Sequence, residues 1–235
     1  MAPVARELAR GRGVLEPIQT ATTLEGQVQE LRAVLEREGD PPVTLVGYSW
    51  GAWLSVFVAA RYPALVKKLV LVSSGPFEHH YVARLTETRL SRLDEQERAD
   101  WQSAVARLGD PAAEDKDGWL ARLGQLASKA DAYDPIPRTP DDSSATSPRG
   151  DIFAGVWSEA AGMRERGELL ALAGRIHCPV VAIHGDYDPH PAEGVRAPLS
   201  AALDDFHFIL LEKCGHTPWI ERQARDTFYA ILGAS

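Results

Sequence analysis

From residue 24 to residue 35 the apolar positions return every three or four residues, as Leu24, Val28, Leu31 and Leu35, which is one stripe of an amphipathic helix. Thr22-Thr-Leu-Glu25 reads as a capping box at its start, and Gly39 followed by Pro41 and Pro42 ends it. Short continuous apolar runs at Val43–Val46, at Leu69–Val72, after Cys178 and at Phe206–Leu211 read as buried strands, with the third ending at Gly185. Ala52, Trp53, Val56, Phe57 and Ala60 have helical spacing over Trp50–Arg61. Pro3–Arg10 reads as a short helix and Gly13–Ile18 as a short strand. Strands alternating with helices predict an α/β core.

That alternation is interrupted. From about Phe77 to Ala130 the chain turns to charged helical segments carrying Trp101 and Trp119. Residues 131–150 hold four prolines, four aspartates and three serines, a composition that predicts a loop or linker. Helical patterns resume at Ile152–Met163, Gly167–Ala173 and Pro218–Leu232, and no internal repeat is visible. The division expected is a core of residues 1–76 and 151–235, with a helical insertion and its Pro/Asp/Ser-rich loop at 77–150.

Composition narrows the function classes. At 235 residues, 45% hydrophobic and 25% charged, the chain has the make-up of a globular enzyme with one α/β core. A net charge of −8 with no basic stripe argues against a nucleic-acid partner. Two cysteines, Cys178 and Cys214, without a secretory pattern suggest a reducing compartment. The N-terminus is charged where a signal peptide is apolar, and the apolar runs are too short to span a bilayer. The expectation is a cytoplasmic protein with no membrane partner.

The chemistry concentrates in Thr44-Leu-Val-Gly-Tyr-Ser-Trp-Gly-Ala-Trp53, where Ser49 stands between Gly47 and Gly51 as a strand gives way to a helix. This G-x-S-x-G elbow aims a serine outward from a strained turn, and the two glycines leave room for the close approach of backbone and helix. Ser49 is the candidate nucleophile. The backbone N–H of Trp50, at the head of the following helix, is the candidate oxyanion donor. The bland reading is a serine in an ordinary βα turn.

Serine needs a base, and the base an orienting carboxylate. His216 lies in a Gly-His-Thr-Pro turn just after the Phe206–Leu211 run, and Asp186 and Asp188 lie in the turn after the preceding strand. In open α/β sheets such strand ends converge on one edge. His207, His177, His79 and His80 have ordinary surroundings. The alternation His184, Asp186, Asp188, His190 also admits a metal site if all four share a strand face, but Pro189 and Pro191 break any continued pleat.

The elbow, the Gly185-Asp-Tyr-Asp188 turn, the Gly215-His216 pair and the chain order Ser, Asp, His together resemble the α/β-hydrolase superfamily. The resemblance implies a mostly parallel sheet and places the acid at the last position of the G-x-x-D turn, which is Asp188, leaving Asp186 to cap the turn. It makes the 77–150 insertion a helical cap. Trp50, directly after the nucleophile, gives a Gly-x-Ser-Trp-Gly elbow similar to the proline iminopeptidase branch.

The chain departs from the family at its N-terminal side. Members have three strands before the point where this chain begins, and the loop after the third carries a second oxyanion N–H. Two expectations compete: Met1 is an internal start of a longer chain, or the protein is a natural short form that dimerises or has lost catalysis. Without the third strand, Gly13–Ile18 must pair directly with Val43–Val46 or the sheet is left split; either outcome exposes or strains an apolar edge, which in the short form is suited to a homodimer.

The activity expected is hydrolysis of an ester, amide or related acyl bond of a small molecule, by a Ser49–His216–Asp188 triad with no metal or organic cofactor. The alternative is a catalytically silent α/β-hydrolase fold acting as a binding protein.

Overall fold

The computed structural model describes residues 1–110, 112–137 and 150–234. The expected linker at 131–150 therefore lies outside the described residues from 138 to 149. Ten α-helices and four strands are described in the order α1 (Ala2–Leu8), α2 (Leu24–Glu38), β1 (Val43–Tyr48), α3 (Trp50–Arg61), β2 (Val66–Val72), α4 (Val82–Ser91), α5 (Glu95–Gly109), α6 (Lys116–Ala130), α7 (Gly150–Glu165), α8 (Glu168–Ala173), β3 (Val180–Gly185), α9 (Glu193–Ala202), β4 (Phe206–Leu211) and α10 (Arg225–Gly233).

The strands form one sheet in the order β1-β2-β3-β4, and every pairing is parallel. Parallel neighbours need crossovers, so helices cover both faces and both faces of the strands are apolar. In β2, Leu69 and Leu71 enter the core beneath α2, α3, α8 and α9, while Val70 and Val72 turn to the opposite core beneath α1 and α10. β3 repeats the alternation with Val180 and Ala182 against Val181 and Ile183.

Helix α3 lies in the larger core and is buried all round from Ala52 to Ala60. Its Phe57, with no exposed surface, contributes about 2–3 kcal/mol by burial alone.

Three expectations are corrected. Residues 13–18 form no strand: Pro17 lacks an N–H to give a ladder, and Leu15 and Ile18 stand exposed. The sheet is consequently neither split nor closed on that side, and among the described residues β1 pairs only with β2. The cap of α2 is Thr23, whose hydroxyl accepts from the Gly26 N–H, so the box does not run from Thr22 to Glu25. Glu25 instead accepts from Gln29 and Arg61.

Helices α4, α5 and α6 occupy the predicted insertion and have a small core of their own, built from Leu93, Trp101, Leu126 and Ala130. Trp101 thus packs within the insertion. α5 opens with a reciprocal capping box between Asp94 and Glu97. Among the described residues no helix is long and apolar enough to cross a membrane.

Candidate active site

β1 ends at Tyr48 and α3 begins at Trp50, leaving Ser49 alone in the turn with φ 52° and ψ −116°. An L-residue in that region carries strain of about 1–3 kcal/mol, held here by the Ser49 N–H donating to Val72 O at 3.0 Å across the sheet edge. The two elbow glycines differ. A Cβ on Gly47 would clash with Gly51 O and lie 2.6 Å from Ser55 Oγ, whereas one on Gly51 meets nothing within 4 Å.

The expectation that both glycines make room for close approach is therefore corrected for Gly51. Gly51→Ala is expected to raise stability by up to about 1 kcal/mol through helix propensity. Gly47→Ala, by overpacking, should lower it by about 3 kcal/mol. Urea denaturation of the two variants checks the contrast.

Trp50 is the first helical residue, so its backbone N–H has no intrahelical acceptor. Its indole Nε1 donates to Gln27 Oε1 at 2.9 Å, tying α2 to the elbow, a contact that no periodicity announces.

Asp188 and His216 are brought together by the turns after β3 and β4. His216 Nδ1 lies 2.8 Å from Asp188 Oδ2, and both residues are buried. A carboxylate only accepts, so His216 carries its proton on Nδ1 and leaves Nε2 as an acceptor. The His216 ring packs 5.1 Å from that of Tyr48, the residue before Ser49. No hydrogen bond joins Ser49 Oγ to His216 among the described residues. Catalytic contacts of this kind are commonly loose before substrate binds.

The other oxygen of Asp188 is also taken. Oδ1 accepts from the His190 backbone N–H at 2.9 Å and from His190 Nδ1 at 2.8 Å. His190 and His216 stack with ring centroids 4.6 Å apart and planes 26° apart. His184 Nε2 donates to His190 O at 2.8 Å and stands 3.6 Å from Asp188 Oδ2.

Asp188, His190 and His216 gather their polar atoms within 4.8 Å of one another. Asp186, however, turns away to accept from Cys214 N–H at 3.1 Å, which is the turn-capping role expected of it. The four alternating side chains therefore do not form the single face that the metal reading requires, and protons on the two Nδ1 atoms account for the short contacts.

Burial pushes the Asp188 carboxyl up, but the electrostatic pull of the surrounding His216, His190 and His184 imidazoles, with the hydrogen bond from His190, outweighs it and holds the group well below the usual carboxylate range. Burial pushes His190 down to about 4, against the pull of Asp188. Cys214, fully buried beside this turn, has its thiol pushed up by burial, as suits an apolar filler.

The sign of the resulting pH dependence follows. Between about 4 and 6.5 the unfolded chain holds a proton on His190 that the folded protein lacks, so His190 lets stability rise with pH across that window and fall as pH drops through it. The Asp188 contribution is present above its unfolded value of about 3.9 and is lost only below it. The urea midpoint should fall between pH 7 and pH 5, and fall less in His190→Asn.

The loop carrying His216 rests on contacts made by residues distant in sequence. Glu221, with no exposed surface, accepts from the N–H groups of Tyr133, Asp134 and Gly215 at 2.9, 2.8 and 3.1 Å. The His216 N–H donates to Asp131 O at 2.9 Å, and the Asp131 carboxylate accepts two hydrogen bonds from Arg89 on α4. A side chain on Gly215 would strike Asp131 O. Residues 131–137 are thus pinned rather than loose, with Pro135 bridging Glu221 and Ile136 N–H donating to Ile220 O.

A family model described as the alpha/beta hydrolase family matches residues 8–230. The chain is similar to the pimeloyl-[acyl-carrier protein] methyl ester esterase of Chromobacterium violaceum, 25% identical over 191 residues that make up 77% of this chain and 66% of the esterase. It spans just under two thirds of that relative's length.

Among solved structures it is similar to VinJ, with a TM-score of 0.61 and 17% identity over 90% of this chain and 71% of VinJ. The proline iminopeptidase of Mycobacterium smegmatis gives 0.58 and 18%, over 91% and 71%. At these identities the likeness is one of fold.

Proposed function

Because the chain belongs to the alpha/beta hydrolase family, we propose that it is a serine hydrolase that transfers an acyl group to water through Ser49, His216 and Asp188. The observation that carries this reading is the 2.8 Å contact of His216 Nδ1 with the buried Asp188 carboxylate, beside a strained serine that opens α3. Asp188 fixes the imidazole tautomer, His216 Nε2 takes the Ser49 proton, and the alkoxide attacks the carbonyl carbon. The Trp50 N–H and the positive end of α3 stabilise the oxyanion as it forms. His216 then protonates the leaving group and deprotonates the water that releases the acyl chain.

Esters are the favoured substrates, since a methyl ester esterase is among the chain's relatives. In this reading α4–α6 form a cap over the site, joined to it by the Arg89–Asp131 pair and by Arg92, whose guanidinium lies 3.5 Å from the centre of the Tyr187 ring. The open side of β1 is the surface for a second copy of the chain, which light scattering across a concentration series tests.

The experiment for the activity is a comparison of p-nitrophenyl butyrate with proline p-nitroanilide. Ester turnover well above amide turnover supports the esterase reading. Preference for the anilide favours an aminopeptidase, and turnover of neither by folded protein favours a silent binding protein.

A further inference from the structure

The two histidines on Asp188 play different parts. His216 is the proposed base; His190 lies two residues after the acid and is accounted for by nothing in the hydrolase reading. Its backbone N–H and its ring Nδ1 both reach Oδ1, the oxygen that His216 does not use. Its ring lies against the His216 ring, and its carbonyl is held by His184 from β3. The His190 side chain is 9% exposed and the Asp188 side chain 0%, so no bulk water substitutes for either contact.

We propose that His190 is a positioning residue: by donating twice to Asp188 Oδ1 and stacking on His216, it fixes the carboxylate plane so that Oδ2 meets His216 Nδ1. The inference rests on the triad reading for its effect on turnover but not for its effect on the Asp188–His216 contact.

A carboxylate held by one oxygen alone can rotate about its Cβ–Cγ bond, and a rotation of a few tens of degrees lengthens the hydrogen bond to His216. The backbone N–H of His190 resists that rotation, and the ring N–H completes a pair of donors on the same atom. His190 is kept neutral by burial, which leaves its Nδ1 proton available for this single purpose and adds no positive charge beside His216.

Hydrogen-bond partners that orient a metal-ligating histidine or carboxylate are worth about 10–100-fold, and an effect of the same order is expected of a partner that orients Asp188. His190→Leu removes the ring donor and keeps the bulk, while His190→Asn places an amide N–H close to where Nδ1 stood.

The test is kcat and KM of the full chain and both variants with p-nitrophenyl butyrate, together with proton NMR of the hydrogen-bonded imidazole N–H groups. His190→Leu should lower kcat at least tenfold with KM within about twofold. His190→Asn should stay within about threefold of the parent. The parent should show two downfield imidazole protons, His190→Asn only that of His216, and in His190→Leu the His216 signal should shift upfield or broaden.

An unchanged His216 signal in His190→Leu, with equal turnover in all three proteins, overturns the proposal. If no protein turns over ester but the His216 signal still depends on residue 190 in this way, the positioning role stands and the esterase reading falls.

Discussion

Alanine at Ser49 is expected to lower kcat for p-nitrophenyl butyrate by about 10⁶, to the level left by binding and oxyanion stabilisation alone. The Ser49 side chain is the nucleophile in this account; Ser73, just after β2, is buried, and among the described residues its hydroxyl has no hydrogen-bond partner to activate it in place of Ser49. Alanine also keeps the backbone strain at φ 52°, so the stability of the variant should stay within about 1 kcal/mol of the parent. Steady-state kinetics beside a urea melt checks both halves. A residual rate above a hundredth of the parent's contradicts Ser49 as nucleophile.

Asn at position 188 is expected to cost about 10⁴ in kcat, because an amide presents an acceptor at one end and a donor at the other. Oδ1 now accepts two N–H groups from His190, and Oδ2 accepts one from His216. Whichever way the amide is placed, one imidazole faces an N–H with an N–H. If the amide oxygen takes the two His190 donors, His216 must move its proton to Nε2, and the base is lost. If the oxygen faces His216, the two His190 donors lose their acceptor in a buried site, at about 1–3 kcal/mol each. The variant should therefore lose either activity or stability heavily. A fall in kcat of less than tenfold without loss of stability means that His216 is oriented by something other than Asp188.

How far the chain was legible depended on whether a feature is local. The elbow helix Trp50–Arg61 and the strand Phe206–Leu211 are observed with the bounds that periodicity predicts, since their apolar stripes, lengths and flanking residues agree. Gly13–Ile18 failed because three apolar residues around a proline meet the composition of a strand without a neighbour to pair with. Helix α9 went unassigned because Pro198 lies inside it and its first turn follows a run of prolines and a histidine.

At the site, Ser49, Asp188 and His216 stand in motifs of a few residues each, and the pairing of the last two is observed. What supports them was not legible. Glu221 reaches residues 88 positions away in sequence, and Arg89 reaches Asp131 across 42. His190 was visible only as one member of an alternating row, and the turn at Pro189 decides which members meet: it sends Asp188 and His190 to His216 and leaves Asp186 facing Cys214.

The central claim is that Ser49 is an activated nucleophile, and reaction with a fluorophosphonate tests it most directly, since the reagent requires no knowledge of the substrate. The account predicts one adduct per chain, located on Ser49 by peptide mass spectrometry, lost in Ser49→Ala and in heat-denatured protein, and formed far more slowly in His216→Ala. Folded protein that remains unmodified, or that carries its adduct on another residue, contradicts it.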